Sequence, residues 1–256
     1  YQGSIINFLR AVNLSLDSLK EILYTKELKR IYNSSISYSK GVVQLPEHIK
    51  ILNLYTNKAK IDLSKYPNLV RFIDLVKNEE KIDFKQAEAQ RESIIKKLSE
   101  ILGSSELNEL LRNSADFRLG KVSQEEFYDY LFSLIDNHGF KLKDYSQLAA
   151  YRDYIKLSKC INHLKVFDEV DSLELEIMIN LSTAKFQKDL TIYTKSAKLL
   201  EDLYSLKLTP RQLNYLDENK KRPDINDIKQ FIITLSNQYG INTPSIISSF
   251  NIDSYI

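Results

Sequence analysis

The sequence is poor in the residues that cross-link or punctuate a chain, with one cysteine, six glycines and five prolines among 256 residues. The lone Cys160 excludes an intramolecular disulfide and any zinc site built on several cysteines, and it favours a reducing, cytoplasmic location. Gly41, Gly103, Gly120, Gly139 and Gly240 all fall where a periodic segment ends, as suits helix C-termini. A strand-rich fold needs more turn residues than this.

Charge of one sign is also missing. With 36 basic and 34 acidic side chains the net charge is +2, so no strong field draws the chain to nucleic acid or to an anionic membrane, and no nucleic-acid partner is expected. No apolar run approaches the ~20 residues that cross a bilayer, and the N-terminus lacks the basic and apolar regions of a signal peptide. A soluble protein without a membrane span is the expectation. Because the chain opens at Tyr1 and not at Met, a fragment or a processed product is expected.

What remains is a chain of ordinary globular composition, 43% hydrophobic and 27% charged, long enough to fold without disulfides or a structural metal. Its apolar residues recur at helical spacing. Ile5, Phe8, Val12, Leu16, Leu19 and Leu23 stand three and four apart, and the pattern runs on through Leu28 and Ile31 toward Gly41, which predicts a first helix of up to about ten turns. Pro46 and Pro67 each open a short helix. Asp83 with Gln86, and Ser123 with Glu126, are capping pairs at the heads of two more.

From Asn162 to Pro210 there is neither Gly nor Pro. Val170, Leu173, Ile177, Leu181 and Ala184, then Leu190, Tyr193, Ala197, Leu200 and Tyr204, keep the intervals of a coiled-coil seam, with a break that predicts a bend near Lys185 to Lys188. Thr209, Pro210 and Gln212 start a further helix. Another runs from about Asn226 to Tyr239, and the mixed pattern after Pro244 leaves a last short helix open.

A shift of 79 residues superposes Gly41 on Gly120, Val43 on Val122, Glu47 on Glu126, Leu52 on Leu131, Leu63 on Leu142, Tyr66 on Tyr145, Leu69 on Leu148 and Ile82 on Ile161. Glycines, caps and aromatics in one order point to an internal duplication. The expected fold is all-α: an elongated helical bundle with long coiled-coil-like helices, a single domain over 1–256. Within it lie an internal repeat (37–83 and 116–162), a long-helix region (163–206) and C-terminal helices (210–256).

Catalytic patterns are absent. His48, His138 and His163 have no partner at metal-ligand spacing and read as surface, turn or capping residues, while Cys160 reads as a small core residue on an apolar stripe. Glu79, Glu80, Glu88, Glu92 and Glu100 lack the Glu-x-x-His of a di-iron bundle and read as solvated faces paired with neighbouring lysines. Lys220, Lys221 and Arg222 read as a loop, and the 16 tyrosines as half-buried packing. There is no phosphate loop and no nucleophile elbow. No residue is therefore nominated as catalytic, cofactor-binding or metal-binding, and no cofactor is expected.

Three stretches, Ile61-Asp62-Leu63-Ser64-Lys65-Tyr66-Pro67-Asn68-Leu69, Lys81-Ile82-Asp83-Phe84-Lys85-Gln86-Ala87-Glu88 and Asp116 to Tyr128, together with Leu206 to Pro210, resemble the helical middle region of large uncharacterised bacterial proteins. The flanking segments of those proteins are similar to the TraB/ChaN-like superfamily. The resemblance spans about Leu14 to Leu235 and carries packing and capping motifs only. It departs at Gln44 to His48, where the Ser/Glu cap is missing. It implies an accessory or lid region of a hydrolase or haem-handling protein whose core lies elsewhere. The residues themselves point to a non-enzymatic helical scaffold or interaction module that meets a protein partner, or itself, through helical seams.

Overall fold

The computed structural model of the chain describes residues 2–210, 212–213 and 224–250. Every regular element among these residues is helical, and there is no strand. In chain order they are α1 (Gln2–Leu23), α2 (Lys26–Ser39), α3 (Leu45–Thr56), a 3-10 turn (Leu63–Lys65), α4 (Pro67–Glu79), α5 (Phe84–Ile101) and α6 (Ser104–Arg118). There follow α7 (Gln124–Asn137), a second 3-10 turn (Leu142–Asp144), α8 (Ser146–Lys159), α9 (His163–Leu181), α10 (Lys185–Tyr204), α11 (Ile225–Tyr239) and α12 (Ser245–Ser249). No helix is long and apolar enough to cross a membrane among the described residues.

The chain forms two compact units, residues 1–63 with 168–256 and residues 64–167. The boundaries fall inside a 3-10 turn and inside α9, so no linker composition marks them.

In the first unit α1 is the central strut. It buries Ile5, Phe8, Leu9, Val12, Leu16 and Leu19 against α10, α11 and α12. The single long first helix expected from the periodicity is interrupted at Tyr24-Thr25. Thr25 is extended (φ −64°, ψ 167°) and its hydroxyl accepts from Leu28 N at 3.3 Å, capping α2. The Leu23 carbonyl that the break frees accepts from Gln187 Nε2 at 2.7 Å. A cap on one side and a buried donor on the other make the interruption stable where periodicity alone runs through it.

The predicted bend near Lys185 falls slightly earlier, at Ser182–Ala184, between α9 and α10. There Gln187 Oε1 accepts from Thr183 N at 2.8 Å and from Ala184 N at 3.3 Å. The Thr209 cap also forms, Gln212 N donating to its hydroxyl at 3.2 Å. Residues 211 and 214–223, where the sequence predicts the rest of this helix and the basic stretch Lys220, Lys221 and Arg222, and the residues after Phe250 lie outside the described residues.

The second unit closes around Ile94, Leu98, Phe127, Leu131, Ile135 and Leu148. Ser123 and Glu126 form the full capping box at the head of α7, and the hydrogen bonds from Ser123 hold the Glu126 carboxyl below its ordinary pKa. Gln90 Oε1 accepts from both Gln147 N and Leu148 N at 2.9 Å, and Gln147 Oε1 accepts from Asp83 N at 2.8 Å, so α5 and α8 cap each other.

The shift of 79 residues also relates element positions. Displaced by 79, α3 begins on the first residue of α7, the two 3-10 turns coincide, α4 begins on the first residue of α8, and α1 and α2 overlie α5 and α6. Gly41 and Gly120 share φ of 70°, and Tyr66 (−122°, 61°) matches Tyr145 (−128°, 64°). Even without a side-chain cap at Gln44, α3 starts in register, helped by Pro46 in its first turn.

Candidate functional site

The most chemically suggestive cluster in the first unit was not legible from spacing. His48 is fully buried, not a surface or turn residue. Its Nδ1 lies 2.8 Å from Ser34 Oγ and its Nε2 lies 3.1 Å from Glu174 Oε2, so α2, α3 and α9 meet through one ring. Tyr38 stacks on it with centroids 5.1 Å apart and planes 5° from parallel. Serine, histidine and glutamate are the types of a nucleophile relay. Here, however, Ser34 is only 6% exposed, His48 is fully buried, and none of the three lines either cavity described below. The cluster is a buried polar lock between helices.

Beside it, Lys20 is 1% exposed and donates to Asp17 Oδ1 at 2.6 Å and to Tyr32 Oη at 2.8 Å. Burial lowers the Lys20 pKa, with the bond to Asp17 opposing the shift. Tyr24 Oη pairs with Thr191 Oγ1 at 2.8 Å, and burial raises its pKa to about 12. Lys20 to Tyr32 ties α1 to α2, and Tyr24 to Thr191 ties the α1–α2 break to α10.

In the second unit α5, α7, α8 and the end of α6 surround a partly open cavity of about 540 Å³. Phe84, Phe117, Tyr128 and Tyr151 contribute rings to its wall. Tyr128 meets Tyr151 edge to face at 4.9 Å, and Phe117 stacks on Phe127 at 4.5 Å. Arg91 of α5, 9% exposed, holds its guanidinium 5.9 Å from the Phe117 ring and 5.8 Å from that of Phe127. It pairs with Glu88, while its Nε is buried without a partner. Gln124 donates to Tyr151 Oη. Burial raises the pKa of Tyr128, and that of Tyr151 to about 12, so both phenols keep their protons at neutral pH.

A second, shallower hollow of about 720 Å³ lies between α4, α8 and the start of α9, lined by Arg71, Lys159, Cys160 and His163 among others. Cys160 is exposed at the C-cap of α8, not in the core, because its stripe ends with the helix. His138 is the C-cap of α7, 3.2 Å from Glu106, and His163 is exposed at the head of α9. Of the five glutamates considered above, Glu88 pairs with Arg91. No group of three or more His, Cys, Asp or Glu is placed to hold a metal ion among the described residues.

Comparison with family models, with curated proteins and with solved structures finds no match to the chain.

Proposed function

We propose that this chain is a non-enzymatic helical scaffold or interaction module, built from two copies of one unit, that pairs with a second copy of itself across α6. The carrying observation is the exposure of that helix. Of its 15 residues α6 buries only Leu110. Leu107, Leu111, Ala115 and Leu119, each four apart, line a face on which Leu111 is 59% and Leu119 68% exposed. A helix stripe of this kind stays in water only at a cost that pairing removes.

Charge favours a second copy as the occupant. Glu106 and Glu109 make the first half of α6 acidic, while Arg112 and Arg118 outweigh Asp116, which pairs with Lys121, in the second, so an antiparallel, two-fold pair sets net acidic halves opposite net basic ones. The recurrence of five successive elements at 79 residues, with shared glycine and tyrosine backbone angles, supports the duplication.

Sedimentation velocity over a concentration series tests the pairing. The wild type is expected to shift reversibly from monomer to dimer mass, and Leu111→Glu with Leu119→Glu to remain monomeric. A wild type that stays monomeric throughout, or a dimer indifferent to the double substitution, contradicts the proposal.

A further inference from the structure

Displacement by 79 residues sets two helix faces side by side. On α1 the residues are Phe8, Leu9 and Val12, each no more than 1% exposed, and the Phe250 ring after α12 stacks on Phe8 at 4.5 Å and 11°. On α5 the corresponding positions are Ala87, Glu88 and Arg91, and all three line the 540 Å³ cavity. One seat is filled by large side chains and capped by an aromatic ring. The other is hollow, and an arginine stands where valine fills the space.

The size of the hollow is that of a small-ligand pocket, which runs to roughly 300–1,000 Å³. Its wall offers ring faces and edges, and its polar groups are mainly donors. Arg91 has five N–H bonds; Glu88, itself half exposed, and Tyr128 take part of them, and its Nε–H is buried without a partner. The Tyr128 and Tyr151 phenols are protonated, and the Gln124 amide nitrogen donates to Tyr151 Oη. Arg118 stands at the rim. Of the acceptors, Glu88 is engaged and Glu92 is exposed to water. A buried guanidinium with unmet N–H groups is costly alone and is relieved by an anionic acceptor.

We infer that the cleft between α5, α7 and α8 binds an aromatic carboxylate, its ring taking the place that Phe250 occupies in the first unit and its carboxylate meeting Arg91. The ring supplies burial and edge-to-face contact. The carboxylate supplies selectivity, since a cationic analogue of the same shape meets Arg91 as a like charge.

The test uses the full chain and two probes of equal shape, 3-phenylpropionate and 3-phenylpropylamine, with the arginine Nε–H resonances followed by NMR. The carboxylate is expected to shift the Arg91 Nε–H signal and to bind at least about tenfold tighter than the amine. Arg91→Gln should abolish that preference. In case this substitution impairs folding, Ala87→Phe places in α5 the residue found 79 positions earlier, filling the hollow while keeping an apolar core; it should raise or preserve the melting temperature and abolish binding. Equal binding of both probes, binding of neither, an unmoved Arg91 signal, or undiminished binding in Ala87→Phe would each overturn the assignment. Occupancy is read by NMR and pairing by sedimentation, so either can fail alone.

Discussion

Replacing His48 by phenylalanine separates the two roles its ring plays. Residue 127, 79 positions on, is a phenylalanine stacked on Phe117 at 4.5 Å and 5°, and His48 stacks on Tyr38 at 5.1 Å and 5°. On the proposed duplication a phenyl ring fits this backbone position, and His48→Phe should keep the stack. It cannot keep the hydrogen bonds. Ser34, at 6% exposure, would lose its partner at a cost of about 1–3 kcal/mol. Glu174, 19% exposed at the side chain, rehydrates in part and loses less. Greater apolar burial returns a fraction of this, leaving a net destabilisation of about 2 kcal/mol. Urea unfolding followed by circular dichroism measures it. Adding Ser34→Ala removes the orphaned hydroxyl, so the double variant should recover about 1 kcal/mol or more relative to additivity. A His48→Phe protein as stable as the wild type, or strictly additive costs, would refute the polar lock.

The tyrosines give an alkaline prediction. Tyr24 ionises near pH 10 when unfolded and near 12 when folded, so the stability it confers is complete below pH 10 and lost as pH rises from 10 to 12; the full effect is about 2–3 kcal/mol. Tyr24→Phe should flatten that part of the stability-against-pH curve, and an unchanged slope would refute it. Buried Lys20 has the opposite sign: its lowered pKa makes charge unfavourable in the folded state, so its penalty fades as pH rises toward 10.5, and Lys20→Met should remove that upward contribution. Gln90→Ala takes away the acceptor at the head of α8 and should cost about 1 kcal/mol in urea unfolding, with faster amide exchange at Gln147 and Leu148. Gly41→Ala and Gly120→Ala each force a side chain to φ of 70° with open space around it, and each should cost about 1–2 kcal/mol by the same backbone mechanism. Clearly unequal costs would count against equivalent turns.

Much of the architecture was legible because it is written in local signals. The Ser123 capping box, the left-handed Gly41, Gly120, Gly139 and Gly240 and the prolines at helix starts act within a few residues, whereas Gly103, read as the end of α5, is the N-cap of α6. The break at Thr25 was missed because its decisive partner, the Gln187 amide on the Leu23 carbonyl, lies 164 positions away. His48 looked like a turn residue after Pro46, and only folding brings Ser34 and Glu174 to it. Cys160 was misplaced by extending an apolar stripe one step past the end of α8. The cleft at Arg91 had one faint sequence signal: a charged residue where the position 79 residues earlier is Val12. Its aromatic wall is drawn from four helices, and no spacing rule joins them.

Native-state hydrogen exchange at several protein concentrations tests the central claim, that α6 is a surface made for a second copy. Amides of α6 around Leu111 should gain protection as concentration rises, while those of α5 around Leu98 stay constant, and Leu111→Glu with Leu119→Glu should erase the gain. Protection of α6 that is independent of concentration in the wild type would contradict it.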